Sequence, residues 1–310
     1  MTSPPGQADI LAAARRIAPH AVVTPLVENF ALSALAGRRV LLKLENLQRT
    51  GSFKFRGAFN RLSLIPEEQR AAGVVAFSSG NHAQGVAAAA AILGMAATIV
   101  MPADAPRAKI ENTRTLGAEV VLYDRFNEDR EAIAAGICQS RDATLVRPFD
   151  DADVIAGQGT VGLEILGAAR AMGVALESVL VPCSGGGLVS GIALALENSG
   201  VRAVAVEAEN FAGMGLSLKA GARLAAAGKP PSLADSLMAP IPGVLPFAIA
   251  RRLMPPGIAV TDAELETAMR YGVRELKLIV EPGGAAGLAA LIAGKAPAGP
   301  IAVVLSGGNC

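Results

Sequence analysis

The sequence predicts an α/β protein, and three observations carry that prediction. Short Val- and Ile-rich runs alternate with longer Ala-rich segments along the 310 residues, Gly and Pro mark the junctions, and 52% of the residues are hydrophobic against a net charge of +1. Strands buried on both faces lose the polar half of their pattern, so this alternation is how βαβ units around parallel sheets read. The length exceeds what one hydrophobic core usually serves, so two domains, or one large domain carrying a smaller lobe, are expected.

In chain order, residues 5–20 read as a charged amphipathic helix. Met1-Thr2-Ser3-Pro4-Pro5 offers no basic patch followed by an apolar stretch, so no export signal is expected. Buried strands are predicted at 40–43, 74–78, 97–101, 119–123, 178–182, 203–207 and 301–305. Helices are predicted over 84–93, 107–116, 127–139 and 188–196, where Ala and Leu recur at helical spacing. The three strands between 74 and 123 form a compact run with their helices. They predict a small α/β domain over 67–147, entered near Pro66 and left near Arg147-Pro148, with 1–66 and 148–310 forming a larger, discontinuous domain. Residues 210–260 contain Gly213, Gly215 and Gly221, then a Pro/Gly series from Pro230 to Gly257, and read as loops and short helices.

Composition excludes several functions. The apolar stretch 85–101 is Ala/Gly-rich and shorter than the roughly 20 residues a membrane span needs, so it reads as a buried helix and strand. With no basic block, no Trp and two Tyr, no nucleic-acid partner is expected. Cys138, Cys183 and Cys310 are odd in number and scattered, which suits a reducing cytoplasm. The two histidines, His20 and His82, stand in no CxxC, HxxxH or HExxH spacing and beside no G-x-S-x-G elbow. Neither a metal site nor a Ser-His-Asp triad is expected. Enzymatic chemistry would then come from an organic cofactor acting on a small molecule.

Four polar segments follow strands or open helices. The run Cys183-Ser184-Gly185-Gly186-Gly187 lies between a strand and the helical pattern starting at Leu188. Backbone N–H groups of Gly185, Gly186, Gly187 and Leu188 can converge there on a phosphate, although the same glycines also suit a tight βα turn. No G-K-[ST] follows, and the spacing is not G-x-G-x-x-G. Thr50-Gly51-Ser52 precedes Phe53-Lys54-Phe55, where apolar bulk can lower the lysine pKa. A partly neutral lysine can bond an aldehyde carbon and later act as a base, while an ordinary lysine there would snorkel to solvent. Ser78-Ser79-Gly80-Asn81-His82-Ala83-Gln84 lines a strand-to-helix junction able to take a carboxylate, or to be capped by Ser79 or Asn81. Ser306-Gly307-Gly308-Asn309 follows the strand at 301–305, where ligands of open α/β sheets collect. Glu281 precedes Pro282-Gly283-Gly284-Ala285, a glycine-start helix it could cap.

Together, Gly51-Ser-Phe-Lys54-Phe-Arg-Gly-Ala58, Ser78-Ser-Gly-Asn81-His-Ala-Gln84, Ser184-Gly-Gly-Gly187-Leu and Ser306-Gly-Gly-Asn309 resemble fold type II pyridoxal-phosphate enzymes of the serine/threonine dehydratase family. That family includes threonine ammonia-lyases and serine racemases. Val154-Ile-Ala-Gly-Gln158-Gly-Thr160 and Leu276-Lys-Leu-Ile-Val-Glu281-Pro-Gly-Gly-Ala285 extend the likeness, which covers roughly residues 8–309. It implies a tryptophan synthase beta-like fold: two open twisted α/β domains with pyridoxal 5'-phosphate in the cleft between them.

The resemblance assigns roles to particular residues. Lys54 would bond the cofactor aldehyde and remove the substrate Cα proton, Phe53 would pack against the ring, and Asn81 would bond its 3-hydroxyl. Gly185, Gly186, Gly187 and Leu188 would hold the phosphate, Ser306 would face the pyridine nitrogen, and Glu281 belongs to the same cofactor-binding set. Ser78, Ser79, Asn81 and His82 lie where the family binds the substrate carboxylate. In serine racemases a serine at the position of Ser79 is the acid/base on the face opposite the lysine. A hydroxyl at Ser306 gives no anion to stabilise a protonated ring, which favours loss of a β-hydroxyl over transamination.

The implied reaction is α,β-elimination of L-threonine, and of L-serine, to 2-oxobutanoate or pyruvate and ammonia. Serine racemisation and dehydration of threo-3-hydroxyaspartate are the alternatives, and a non-catalytic binder of a phosphorylated small molecule is a third. Glu207 stands where some relatives carry one carboxylate of a divalent-cation pair, but Phe211-Ala212-Gly213 follows where the second is expected, so no metal is predicted. Arg130 is a candidate for a second substrate carboxylate or a phosphate, or an exposed helical arginine. A cytoplasmic homodimer is expected, without a C-terminal regulatory domain beyond Cys310.

Overall fold

The structure is a computed structural model that describes residues 3–229 and 231–310. Met1 and Thr2, and Pro230 at the start of the predicted Pro/Gly series, lie outside the described residues. Its strands are β1 (Leu26–Glu28), β2 (Val40–Leu44), β3 (Val74–Phe77), β4 (Ala97–Pro102), β5 (Glu119–Tyr123), β6 (Thr144–Leu145), β7 (Ser178–Pro182), β8 (Arg202–Ala208), β9 (Ile258–Val260) and β10 (Ile301–Leu305). The helices up to the glycine loop are α1 (Gln7–Ile17), α2 (Phe30–Ala36), α3 (Lys54–Ser63), α4 (Asn81–Ile92), α5 (Arg107–Thr115), α6 (Arg130–Arg141) and α7 (Ala152–Ala171). After it come α8 (Gly187–Ala195), α9 (Gly213–Ala220), α10 (Val244–Leu253), α11 (Asp262–Tyr271) and α12 (Ala286–Ile292).

All seven predicted strands form, as β2, β3, β4, β5, β7, β8 and β10, each with ends within one residue of expectation. The predicted helices form, the one at 107 with the expected start and those expected from 84, 127 and 188 with shifted ones. The helix expected from residue 127 begins at Arg130, because the Asp129 carboxylate accepts the N–H groups of Glu131 and Ala132 and fixes the start there. The segment 85–101 is the buried helix and strand expected, α4 and β4, and no described helix is long and apolar enough to cross a membrane. Residues 210–260 hold α9, α10 and β9 among loops.

Two sheets organise the described residues. The larger has the order β1-β2-β10-β7-β8-β9 and the smaller β5-β4-β3-β6. All pairings are parallel except that of β1 with β2. In the larger sheet β7 runs outward to β8 and β9, while β10 returns on the other side of β7. In the smaller, β3 runs out to β4 and β5, while β6 returns on its other side. Each reversal opens a crevice at the carboxyl ends of the central strands, where open α/β sheets take ligands. Ser78 follows β3, the glycine loop follows β7 and Ser306 follows β10, so both crevices carry the predicted polar segments.

The core follows the sheets. One apolar cluster joins β2, β8, β10 and α12, and another joins β3, β4 and α4. Phe55, Ala58, Phe59 and Leu62 of α3 are buried in the second cluster, so the helix that begins at Lys54 packs on the smaller sheet. Its other side meets α7.

Candidate active site

One cavity of about 500 Å³ opens at these carboxyl ends, and every site residue predicted from the sequence lines it. Phe53 and Lys54 come from the start of α3, and Ser78, Ser79, Asn81 and His82 from the β3–α4 junction. Gly185, Gly186, Gly187 and Leu188 come from the β7–α8 turn, Glu281 from the segment before α12, and Ser306 from the end of β10.

Lys54 supplies a half-buried amine to the site. Burial pushes its pKa down to about 8, against an opposing pull from Glu281. Its Nζ donates to the Pro148 carbonyl at 2.7 Å and lies 5.3 Å from the centroid of the Phe53 ring. The position is held from two sides. Gly85 of α4 faces the Lys54 carbonyl so closely that a Cβ would stand 3.1 Å from the Lys54 carbonyl carbon, so only glycine lets α4 approach unshifted. Two residues on, Arg56 is fully buried and bonds Glu45 through Nε and Nη2, both at 2.8 Å, and Glu164 through Nη1 and Nη2 at 2.6 and 2.9 Å. Burial opposes its charge, but the two carboxylates outweigh it and raise the guanidinium pKa. Lys43 joins the cluster by donating to Glu164 and to the Thr24 carbonyl.

The glycine loop is shaped for an anion. Gly186 has φ +97°, a left-handed conformation that disfavours a side chain. A Cβ on Gly185 would strike the Phe149 ring, and one on Gly187 would stand 3.0 Å from the Phe149 Cβ. No side chain caps α8, so its first N–H groups are open to a ligand. The loop is braced from behind: the Gly243 N–H donates to the Gly185 carbonyl at 2.9 Å, and the Ala239 N–H to Ser184 Oγ at 3.1 Å. A phosphate group fits this cradle.

The β3–α4 junction differs from one of its expected readings. The N-cap of α4 is Gly80, and neither Ser79 nor Asn81 caps the helix. Ser78 Oγ accepts the Gly80 N–H at 3.2 Å, while Asn81 is drawn into a relay. Asn81 Nδ2 donates to Glu281 Oε1 at 2.5 Å, and Asn81 Oδ1 accepts from Asn309 Nδ2 at 2.8 Å. Burial pushes Glu281 up to about 7, only partly offset by the Asn81 bond, and its Oε2 is buried without a partner. His82 Nε2 faces the Val146 carbonyl at 3.0 Å. Burial first, and then the charge of Lys54, push the ring down to about 3, so it is neutral. A carbonyl can only accept, so Nε2 carries the proton and the buried, unpartnered Nδ1 is an acceptor. A carboxylate therefore finds no donor on this ring, and any contact at His82 falls to its main chain.

Ser306 is buried and tied into the same floor. Its carbonyl accepts the Phe53 N–H at 3.1 Å, and Ser52 bridges Gly307, so the chain around Lys54 is tied to the end of β10. Arg130 is exposed and also lines the cavity, its guanidinium 5.3 Å from the Phe77 centroid. Glu207 stands apart from the cavity: it accepts the N–H groups of Met214 and Gly215, both at 2.8 Å, and burial pushes it up to about 7. Among the described residues no group of His, Cys, Asp and Glu is arranged to hold a metal ion.

Sequence reasoning missed Pro148, Phe149, Lys109 and Asp235, which also line the cavity. Lys109 alone carried a local signal, a cation in the first turn of a helix, where the dipole disfavours it.

The site has close relatives. The L-threonine ammonia-lyase of Thermotoga maritima is 43% identical over 289 residues, covering 92% of this chain and 71% of that protein. The L-threo-3-hydroxyaspartate ammonia-lyase of a Pseudomonas species is 43% identical over 305 residues, covering 97% and 94%. The solved structure of maize serine racemase superposes with a TM-score of 0.93 at 35% identity over 99% of this chain and 94% of that one. Residues 17–307 match the family described as pyridoxal-phosphate dependent enzyme, and with its cavity lysine, glycine cradle and two crevices the chain belongs to that family.

Proposed function

We propose that this protein is an ammonia-lyase that eliminates water from L-threonine, and from L-serine, giving 2-oxobutanoate or pyruvate and ammonia. The observation that carries the reading is the Lys54 amine, half-buried, brought down to about 8 by desolvation, and facing a cavity with a glycine cradle and an uncapped helix start. Pyridoxal phosphate, when bound, supplies an aldehyde for the substrate amine and an electron-withdrawing ring. The chain's own residues do the rest. The N–H groups of Gly185, Gly186, Gly187 and Leu188 hold the phosphate, Phe53 packs on the ring, and Asn81, oriented by Asn309 and Glu281, bonds its 3-hydroxyl. Ser306 meets the ring nitrogen with a hydroxyl. Ser78, Ser79, and the main chain of Asn81 and His82 at the positive end of α4 hold the substrate carboxylate. Lys54 Nζ, near neutrality at modest cost, takes the Cα proton.

A small domain of 67–147 and a large one of 1–66 and 148–310 form the two walls, with α3 as their joint. A cytoplasmic homodimer is part of the same reading, with the exposed apolar side chains of Val23, Phe30, Leu47 and Ile279 available to a second copy. Two observations favour neighbouring chemistries. Lys109, Arg125 and Arg130 line the cavity, which suits the second carboxylate of threo-3-hydroxyaspartate, and Ser79 offers a hydroxyl for racemisation.

The test is proton NMR in deuterated water with each amino acid and the cofactor-loaded enzyme. Appearance of 2-oxobutanoate from threonine, with little exchanged substrate, is expected. Loss of the serine Cα proton without keto acid would replace elimination by racemisation, and turnover confined to 3-hydroxyaspartate would move the substrate.

A further inference from the structure

Pro148-Phe149-Asp150 follows β6 of the smaller sheet and touches both ends of the site. The Pro148 carbonyl accepts from Lys54 Nζ, and the Phe149 ring lies against the glycine loop, where a Cβ on Gly185 would stand 2.4 Å from it. A Cβ on Gly187 would stand 3.1 Å from the Phe149 carbonyl oxygen. Asp150 reaches the start of α10, 94 and 95 positions further along the chain. Its Oδ2 accepts the Val244 N–H and its Oδ1 the Leu245 N–H, both at 2.9 Å.

That helix start is what braces the loop. A helix leaves its first N–H groups without partners inside the helix. In α10 the N–H of Gly243, the N-cap, goes to the Gly185 carbonyl, those of Val244 and Leu245 go to Asp150, and Pro246 has none. The first turn of α10 holds no acidic residue, so Asp150 also supplies the negative charge that its positive end favours. Pro246 lies against Gly186, where a Cβ would stand 2.8 Å from the Pro246 Cβ, and its carbonyl accepts from Ser190 Oγ of α8 at 3.0 Å. The approach of Asp150 is as close: a Cβ on Gly243 would stand 2.9 Å from Asp150 Cγ. One carboxylate thus sets the place of a helix bonded both to the loop and to the helix that the loop opens.

We propose that Asp150 is a positioning residue for the cofactor phosphate: it fixes the start of α10 against Gly185 and Gly186 and so holds the glycine loop in the shape that takes the anion. Asp150 does not itself line the cavity, so it acts through α10. The same tripeptide carries the carbonyl that meets Lys54 and the ring against the loop. It therefore sets the span between the amine, which takes the aldehyde end of pyridoxal phosphate, and the cradle, which takes the phosphate end. The proposal rests on the reading of the glycine loop as the phosphate site.

The test measures, by cofactor absorbance, the affinity of the full chain for pyridoxal phosphate and for pyridoxal, which has the aldehyde but no phosphate. Compared are the parent, Asp150→Ala, Asp150→Asn and Asp151→Ala. The neighbouring Asp151 caps α7 at the Val154 N–H, so its loss removes a like cap from a helix that, among the described residues, makes no bond to the loop. The parent should prefer pyridoxal phosphate. Asp150→Ala should weaken pyridoxal phosphate about tenfold and leave pyridoxal within about twofold, because a lost cap loosens the loop while the Pro148 contact with Lys54 stays. Asp150→Asn keeps the shape and one acceptor oxygen, so its folding is not at risk, and a selective loss of about threefold is expected. Asp151→Ala should keep the parent's preference. Equal losses for the two ligands in Asp150→Asn, no loss in either Asp150 variant, or the same selective loss in Asp151→Ala each overturn the proposal. A parent without a preference overturns the phosphate reading of the loop and the proposal with it. Binding is read without turnover, so failure of the proposed reaction is a separate result.

Discussion

Two polar regions lie two residues apart along α3, and they are finished differently. Around Arg56, two cations and two carboxylates meet one another, and Arg56 adds Thr160 and the Val22 carbonyl. Around Lys54, the amine faces only a carbonyl, and Glu281 Oε2 and His82 Nδ1 are buried without partners. A buried polar group left unbonded costs free energy, so folds complete such bonds where the role is to hold the chain in place. They leave bonds open where a ligand will make them. Gln158, whose carboxamide is also buried without a partner, fits neither region, and nothing in the structure explains it.

The comparison breaks most sharply on single substitutions in each region. Lys54→Ala should lower turnover by at least roughly a thousandfold, while urea unfolding stays close to the parent because the amine lost is bonded to the Pro148 carbonyl alone among the described residues. Arg56→Ala should do the reverse of this in kind: it leaves Glu45 and Glu164 with Lys43 as the one cation of the cluster, and urea unfolding should show a loss of about 3–5 kcal/mol. A stable Arg56→Ala protein with normal melting would show that the cluster does not hold the fold.

Glu281→Gln gives a smaller, pH-dependent effect. The folded pKa of Glu281, about 7, lies above its ordinary 4.5, so the folded state binds the extra proton between those values. Stability therefore falls as pH rises through that window, and the full burden of the charge is present above pH 7. The glutamine variant keeps a partner for Asn81 without the charge. It should melt a few degrees higher than the parent at pH 8 and alike near pH 4.5, as read by melting curves across that range. A constant difference at all pH values would mean that ionisation of Glu281 is not what the fold bears.

Much of this was legible in the sequence where the cause is local. The glycine run after the apolar run at 178–182 marked both the turn and the helix that follows, because glycine geometry and strand burial act within a few residues. Strands β1, β6 and β9 were not legible: each is two or three residues long and exists because a neighbour pairs with it. Helix α7 carries Gly157, Gly159, Gly162 and Gly167, which argue locally for a turn. It forms because two of those glycines admit close neighbours: a Cβ on Gly157 would stand 2.6 Å from Gly57, and one on Gly159 2.8 Å from the Gly191 carbonyl. In the site, residue identities were readable, but the Lys54 contact with Pro148 and the Lys109 contact with Asp235 join distant parts of the chain. No spacing within a segment records them.

The place of β10 has a consequence for how the molecule is made. It sits between β2 and β7, with Ile301 beside Val40 on one side and Ser178 on the other. A nascent chain can complete β3, β4, β5 and β6 from one continuous stretch, yet its larger sheet has a gap until β10 arrives. Ser306 and the Gly307 bridge to Ser52 arrive with it. Assembly is therefore ordered, with the smaller sheet early and the larger late, as distant pairings form slowly. A ribosome-bound chain stalled before β10 has its lysine already, but nowhere to keep a coenzyme.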